Sequence, residues 1–203
     1  MREFNSIQEK ILDRTLYMIG QKGSYDVTIR DITSAANVNV NAINYYFGNK
    51  DALIDRMEEF FIENYLSAYA MLVLDDDSMD DEQKLITWAN EIMEYTLQYP
   101  GIQIILRDNM CGKGPNGKMA KFLIEKSNEF DQKVNELFMR LFGVEGEELK
   151  LMRIAFDSAV LYPASFGITP NYDFTEIKDK SFRLRYIKYV IQSIMKGKEN
   201  DEV

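Results

Sequence analysis

The chain contains no histidine and a single cysteine among its 203 residues. Without histidine it lacks the commonest general base and the commonest metal ligand of proteins, and zinc sites built from cysteine and histidine are excluded. One cysteine cannot form an internal disulfide, which suits a reducing compartment and predicts a cytoplasmic protein. From these absences we expect no catalytic site, no metal site and no cofactor.

Long hydrophobic runs and prolines are scarce too. No apolar run approaches the about 18 residues of a transmembrane helix, and the start, MREFNSIQEK, lacks the apolar core of a signal peptide, so we expect no membrane partner. The four prolines all follow residue 99. Elsewhere apolar residues recur at a spacing near 3.6 without sustained alternation, which predicts an all-α fold of about nine helices.

The chain also lacks net positive charge, since its formal charge is −9. That charge argues against non-specific coating of nucleic acid. Residues 1–50, however, hold six basic and five acidic side chains, so the remaining residues carry −10. A nucleic-acid surface, if the chain has one, is therefore expected in the N-terminal quarter.

The helix boundaries can be predicted from caps and breakers. The first helix starts with a capping box of Ser6 and Glu9 and ends at Gly20 and Gly23, with Ile7 and Ile11 on its apolar face. Thr28 is expected to cap the second helix. The predicted helices span 6–22, 28–36, 39–46, 50–72, 82–99, 102–110, 117–142, 147–166 and 176–196.

Residues 28–53, TIRDITSAANVNVNAINYYFGNKDAL, have the features of a helix-turn-helix. Ala35 and Ala36 are small enough for two helices to touch, and Asn37 accepts the left-handed conformation that a tight turn requires. The apolar anchors are Ile29, Ile32, Val38 and Ile43. Asn41 and Asn44 place short polar groups on the second helix, whose start enters the major groove in this motif.

These residues resemble the DNA-binding domain of TetR-family transcriptional regulators. That family's pattern reads T-x-x-x-I-A-x-x-A-G-V-S, four variable positions, then Y-x-x-F-x-x-K-x-x-L. Its positions fall here on Thr28, Ile32, Ala36, Asn37, Val38, Asn39, Asn44, Phe47, Lys50 and Leu53, with asparagine in place of the pattern's glycine, serine and tyrosine. The resemblance covers about a quarter of the chain. It implies a three-helix helix-turn-helix domain in residues 1–50 and a helical ligand-sensing and dimerisation bundle in residues 51–203.

Contacts to DNA phosphates are expected around the second helix of the motif. The resemblance assigns a phosphate contact to Lys50. Thr28, Tyr45 and Tyr46 carry hydroxyls that can donate to phosphate, and Arg30 is a flanking candidate together with Lys22. So few cations predict a shallow salt dependence of binding, with a log–log slope no steeper than about −6 for a dimer.

Base contacts are expected from the uncharged second helix. Asparagine pairs well with adenine, and valine or alanine packs on the thymine methyl, so the segment favours an A/T-rich half-site. The candidates are Val40, Asn41, Ala42 and Asn44. Asn39, which we expect to cap the helix, is a further DNA-binding candidate. The alternative is that one of these asparagines only caps a helix or bonds locally.

The resemblance places an effector pocket and a dimer interface in the remaining helices. Pocket candidates are Tyr65, Tyr69, Trp88, Met93, Met110, Phe122 and Phe138, because Met-rich linings suit adaptable apolar ligands. Interface candidates on the last two helices are Met152, Phe156, Ala159, Tyr186, Val190 and Ile194. For both sets the alternative is packing inside one subunit.

We therefore expect a DNA-binding transcriptional regulator, most simply a repressor that a small-molecule effector releases from its operator. Its expected partners are a two-fold palindromic double-stranded DNA operator, a second copy of the chain and an effector of unknown identity. A different class, a structural DNA-binding protein without an effector, remains the alternative. An enzyme is disfavoured because no catalytic constellation is present.

Overall fold

The computed structural model describes residues 6–73, 78–99, 107–108, 111–112, 118–166 and 175–200. The regular structure of these residues is helical, and they contain no strand, which confirms the all-α prediction. The helices are α1 (Ile7–Lys22), α2 (Ile29–Ala36), α3 (Asn41–Phe47), α4 (Lys50–Val73), α5 (Asp81–Gln98), α6 (Lys118–Phe142), α7 (Gly146–Phe166) and α8 (Lys180–Asn200). A short 3-10 turn, Thr175–Lys178, precedes α8.

Most helix boundaries lie within about two residues of their predicted positions, as capping signals allow. The last predicted helix is divided into the 3-10 turn and α8, and α8 extends to Asn200. The predicted helix at 102–110 falls outside the described residues, apart from Arg107 and Asp108, which are helical.

The chain forms two compact units, each built from two stretches of sequence. The first comprises Met1–Leu66 and Gln98–Ile124, and the second comprises Ser67–Leu97 and Glu125–Val203. The boundary predicted at residue 50 lies within the first unit. A division of functions at that point stays a prediction.

The core of the first unit comes from α1 to α4. Side chains with no exposed surface include Ile11, Leu16, Ile19, Val27, Ile32, Ile43, Leu53, Met57 and Phe61. One carboxylate, Asp13 on α1, is also fully buried. It accepts hydrogen bonds from the Tyr99 hydroxyl and from the Arg14 guanidinium, so the buried charge is compensated. Tyr99 thus joins the later stretch of this unit to α1.

The core of the second unit is centred on aromatic rings of α5, α6 and α7. Trp88 stacks on Phe156 with ring centroids 6.3 Å apart. Phe138 meets Phe156 edge to face at 5.3 Å. Aromatic pairs in these arrangements contribute beyond the area they bury, and they hold the three helices together.

A buried arginine joins the 3-10 turn and α8 to α5. The Arg183 side chain is 4% exposed and donates to Glu94 at 2.7 Å and to Asn90 at 3.3 Å. It also donates to the carbonyls of Ile177 and Lys178 at 3.2 and 2.8 Å. The planar guanidinium can bind all four acceptors at once because its donors form a fixed fork.

Candidate DNA interface

The helix-turn-helix is shaped by two local devices. At the start of α2, the Thr28 hydroxyl accepts from the Asp31 amide and the Asp31 carboxylate accepts from the Thr28 amide, both at 3.1 Å. At its end, Asn37 adopts φ 51° and ψ 54°, the predicted left-handed turn. Thr33, where the resembled family has alanine, is buried and donates its hydroxyl to the Ile29 carbonyl at 2.9 Å. The turn therefore forms without the family's usual glycine and alanine.

In α3, the second helix of the motif, Ile43 is buried and the residues at the start of the helix are largely exposed. Ile43 has no exposed surface, whereas Val40 is 49% exposed. Asn41 and Asn44 are exposed. The exposed residues are thus the predicted base readers Val40, Asn41 and Asn44, and no charged side chain lies among them.

Asn39 differs from the other two asparagines. Its Oδ1 atom accepts a hydrogen bond from the Asn41 amide at 2.9 Å, and its carbonyl accepts from the Ala42 amide at 2.9 Å. Asn39 therefore caps α3, as the sequence predicted. Its contact with DNA stays a prediction, and its side-chain oxygen is already used within the protein.

The predicted phosphate contacts flank α3. Tyr45 is 82% exposed, and its ring meets that of Tyr46 edge to face at 4.8 Å. Lys50 lies in the first turn of α4, which Asn49 caps by accepting from the Ala52 amide at 2.9 Å. The Thr28 hydroxyl acts as an acceptor in its cap, so its proton remains available for a phosphate.

The cations near the motif are few, and one of them is engaged. Lys22 donates to Asp31 at 2.9 Å and to the Asp26 carbonyl at 3.0 Å. This bond and those from Thr28 lower the pKa of Asp31 to about 2. Among the described residues, Arg30 and Lys50 take part in no ion pair. They remain the cations of the motif that are open to phosphate.

One residue of this surface was misplaced by the sequence pattern. Ile7 was expected on the apolar face of α1, but it is 49% exposed. It lines an open groove together with residues of the turn and α3. Its position in the first turn of α1 could have indicated this exposure, because few residues precede it that could cover its side chain.

The predicted pocket residues are dispersed. Trp88, Met93 and Phe138 lie buried in the core of the second unit, and Phe122 is partly buried in the first. Met110 and the side chains of Tyr65 and Tyr69 lie outside the described part of the chain. The close packing of Trp88 and Phe138 with Phe156 matches the ordinary-core alternative, and a pocket at these residues stays a prediction.

The predicted interface residues mostly face inward. Met152, Phe156 and Val190 are buried within the single chain, and Ala159, Tyr186 and Ile194 are partly buried. The exposed large apolar side chains of α7 and α8 are their neighbours Leu151, Ile154, Leu161, Tyr162, Phe182, Tyr189 and Met195. An interface on α7 and α8 stays a prediction, and the residues predicted for it lie mostly on the buried face of each helix.

The described residues contain neither a cluster of possible metal ligands nor a helix able to span a membrane. No group of three or more cysteine, aspartate or glutamate side chains is arranged to hold a metal ion there. No helix in the described ranges has the length and hydrophobicity needed to cross a membrane.

Comparison with known proteins agrees with this geometry. Residues 11–57 match the sequence model of the bacterial regulatory proteins of the TetR family. A probable HTH-type transcriptional regulator of Bacillus subtilis, YttP, is 27% identical over 90 residues, which cover 44% of each chain. The chain thus matches less than half of that relative's length. An uncharacterized HTH-type transcriptional regulator from the dhlA 5′ region of Xanthobacter autotrophicus is 20% identical over 81% of this chain and 80% of its own.

A solved structure shows the same fold over nearly the whole length. It is described as the fatty acid degradation regulator FadR from Bacillus halodurans. Its TM-score is 0.57 at 19% identity, and the match covers 96% of this chain and 97% of that one. Residues 11–57, which contain the helix-turn-helix, thus match the TetR family of bacterial regulatory proteins, and the likeness over the rest of the chain is one of fold.

Proposed function

We propose that the chain is a homodimeric transcriptional repressor that acts in the cytoplasm and leaves its operator when a small molecule binds. The observation that carries this proposal is the start of α3. A fully buried Ile43 anchors the helix, while Val40, Asn41 and Asn44 remain exposed and uncharged. This division suits a helix that reads base edges while other residues hold the phosphates.

The proposed operator is a two-fold palindrome with A/T-rich half-sites. Asn41 and Asn44 are suited to adenine, and Val40 is suited to the thymine methyl. Phosphate contacts fall to Thr28, Arg30, Tyr45, Tyr46 and Lys50. Because Lys22 is held by Asp31, the cationic contacts are few, which supports the expected shallow salt dependence.

The proposed dimer interface is the exposed apolar face of α7 and α8. Its residues are Leu151, Ile154, Leu161, Tyr162, Phe182, Tyr189 and Met195. A group of large exposed apolar side chains on two helices is typical of an interaction surface. A second copy is the natural partner because a two-fold operator requires a two-fold protein.

Selection of bound DNA from a random pool tests the proposal. We expect the full-length protein to enrich a palindrome, and Asn44→Ala to bind it about 30-fold more weakly or worse, because one bidentate contact is lost in each half-site. Gln8→Ala, an exposed change on α1, serves as the control. Equal binding by Asn44→Ala and the wild type would remove Asn44 from the reading surface.

Repeating the selection with candidate apolar ligands tests the effector. A ligand that releases the operator supports the repressor proposal. If the protein binds its palindrome and no ligand releases it, the structural DNA-binding alternative is favoured. The tight packing of Trp88, Phe138 and Phe156 supports this alternative, because it leaves little room for a ligand among the predicted pocket residues.

A further inference from the structure

The groove beside α3 is uncharged along its whole lining. It is open to solvent, has a volume of about 520 Å³, and lies between the first turn of α1 and the helix-turn-helix. Its lining residues are Ile7, Asn37, Val38, Asn39, Asn41, Ala42, Tyr45 and Tyr46. A groove with no cation in its lining is poorly suited to a phosphate, which is normally held by Lys or Arg.

The groove also concentrates the exposed apolar surface of the first unit. Among the described residues of that unit, the large apolar side chains that remain exposed are Ile7, Val40 and Tyr45. Two of these three line the groove. Ile7 is the unexpected one, because the next apolar residues of α1, Ile11 and Leu12, are buried. An exposed apolar cluster next to a reading helix indicates a surface that a partner covers.

The position of the groove identifies its partner as DNA. One wall is α3, the helix that the family places in the major groove, and that wall carries the exposed Asn41. The groove is therefore continuous with the reading surface. The chemistry of its lining, apolar groups next to an amide, matches the major-groove edge of an A·T pair, where a methyl group lies beside a donor and acceptors.

We infer that Ile7, on α1, is a specificity-determining residue that contacts the 5-methyl group of one thymine in each half-site. Ala42 and Val38 complete the apolar surroundings of that methyl group in the groove, and Asn41 lies at its polar side. This inference rests on the proposed function, because it requires that α3 reads the operator. It adds a residue from outside the helix-turn-helix to the base-reading set.

Replacing operator thymines one at a time with deoxyuridine tests the inference, since this change removes only the methyl group. For the wild-type protein we expect about a fourfold loss of affinity at the contacted position, the effect of one buried methyl-sized group. With Ile7→Ser, the deoxyuridine penalty at that position should fall well below fourfold, because only Ala42 and Val38 then remain beside the methyl group. Ile7→Val, which keeps most of the apolar surface, should retain part of the difference.

The matched control is Gln8→Ser, an exposed change in the same turn that does not line the groove. It should keep the full wild-type difference. The inference is overturned if Ile7→Ser keeps the same deoxyuridine penalties as the wild type at every position, or if the wild type shows no penalty. Failure of the wild type to bind any selected DNA would instead refute the proposed function, so the two failures are distinguishable.

Discussion

Four of the five asparagines between residues 37 and 49 show how differently this residue type is used in the first unit. Asn37 takes the left-handed turn, Asn39 caps α3, and Asn49 caps α4. Asn41 makes no side-chain hydrogen bond among the described residues. The sequence predicts that asparagines here serve as helix caps and base readers. The role of each asparagine, however, depends on the residue at which α3 begins. In the structure α3 begins at residue 41, two residues after its predicted start at residue 39.

The pH dependence of stability is a prediction at the same scale. The pKa of Asp31 falls to about 2 in the folded protein, chiefly through its bond to Lys22. Because this pKa is lower in the folded than in the unfolded protein, ionised Asp31 stabilises the fold. This stabilisation is fully present above the ordinary aspartate pKa and is lost as the pH falls from about 4 towards 2. The difference in unfolding free energy between wild type and Asp31→Asn should therefore shrink over this interval.

Urea unfolding of both proteins at a series of pH values measures this difference. Lys22→Met, which removes the main cause of the shift, should have a weaker pH dependence than the wild type. A difference between wild type and Asp31→Asn that stays constant from pH 6 to pH 3 would contradict the assignment.

At the scale of elements, α7 contains Pro163 and still runs from Gly146 to Phe166. A proline has no amide proton, so the carbonyl four residues earlier, that of Ala159, loses its helical donor. The Tyr186 hydroxyl on α8 donates to that carbonyl at 2.8 Å. Burial raises the pKa of Tyr186, which keeps the hydroxyl protonated. Pro163 therefore frees a carbonyl of α7, and the hydrogen bond from Tyr186 to that carbonyl joins α7 to α8.

A double-mutant cycle tests this pairing. Tyr186→Phe should lower the free energy of unfolding by about 1 kcal/mol, because a carbonyl loses its donor. In a Pro163→Ala background the new amide proton can satisfy Ala159, so the same tyrosine change should cost less. We expect a coupling of about 0.5 kcal/mol or more from chemical denaturation. Additive effects would show that the two residues act independently.

The Arg183 contacts predict unequal costs for changing Arg183 and its partner Glu94. Arg183→Met should cost about 3 kcal/mol of unfolding free energy, because it leaves Asn90 and the carbonyls of Ile177 and Lys178 without their donor. Glu94→Gln should cost less than about 1 kcal/mol, since the Glu94 side chain is 51% exposed. Denaturant titrations of the two variants give the comparison, and equal losses would refute it.

How far the sequence predicts each element depends on the kind of signal. Caps and breakers placed most helix ends, because Ser6, Thr28 and Asn49 act on neighbouring amides. The burial of α7 was harder to predict, because both of its faces carry apolar residues. Met152 and Phe156 are on the buried face, and Leu151 and Ile154 on the exposed one. Periodicity alone cannot rank two apolar faces, and only tertiary packing chooses between them.

For the whole molecule, the exposed face of α7 and α8 predicts the oligomeric state. Ile154 is 66% exposed. Ile154→Arg should weaken the proposed dimer by about 30-fold or more, because each subunit would place an unpaired charge in an apolar interface. Operator affinity should fall with it. Asn128→Arg, the same added charge at an exposed position of α6, is the control. Sedimentation velocity of an unchanged dimer of Ile154→Arg would exclude this face.

The buried contact between Asp13 and Tyr99 has a consequence for how the protein is made. Chains emerge from the ribosome N-terminus first, and domains fold as units when their residues have appeared. Residues 1–66 contain all of the helix-turn-helix, yet Asp13 would still lack the Tyr99 hydroxyl. The DNA-binding unit therefore matures only after the first stretch of the second unit, Ser67–Leu97, has been synthesised. In a fragment cut at residue 66, Asp13 would keep its hydrogen bond from Arg14 but lack the one from Tyr99.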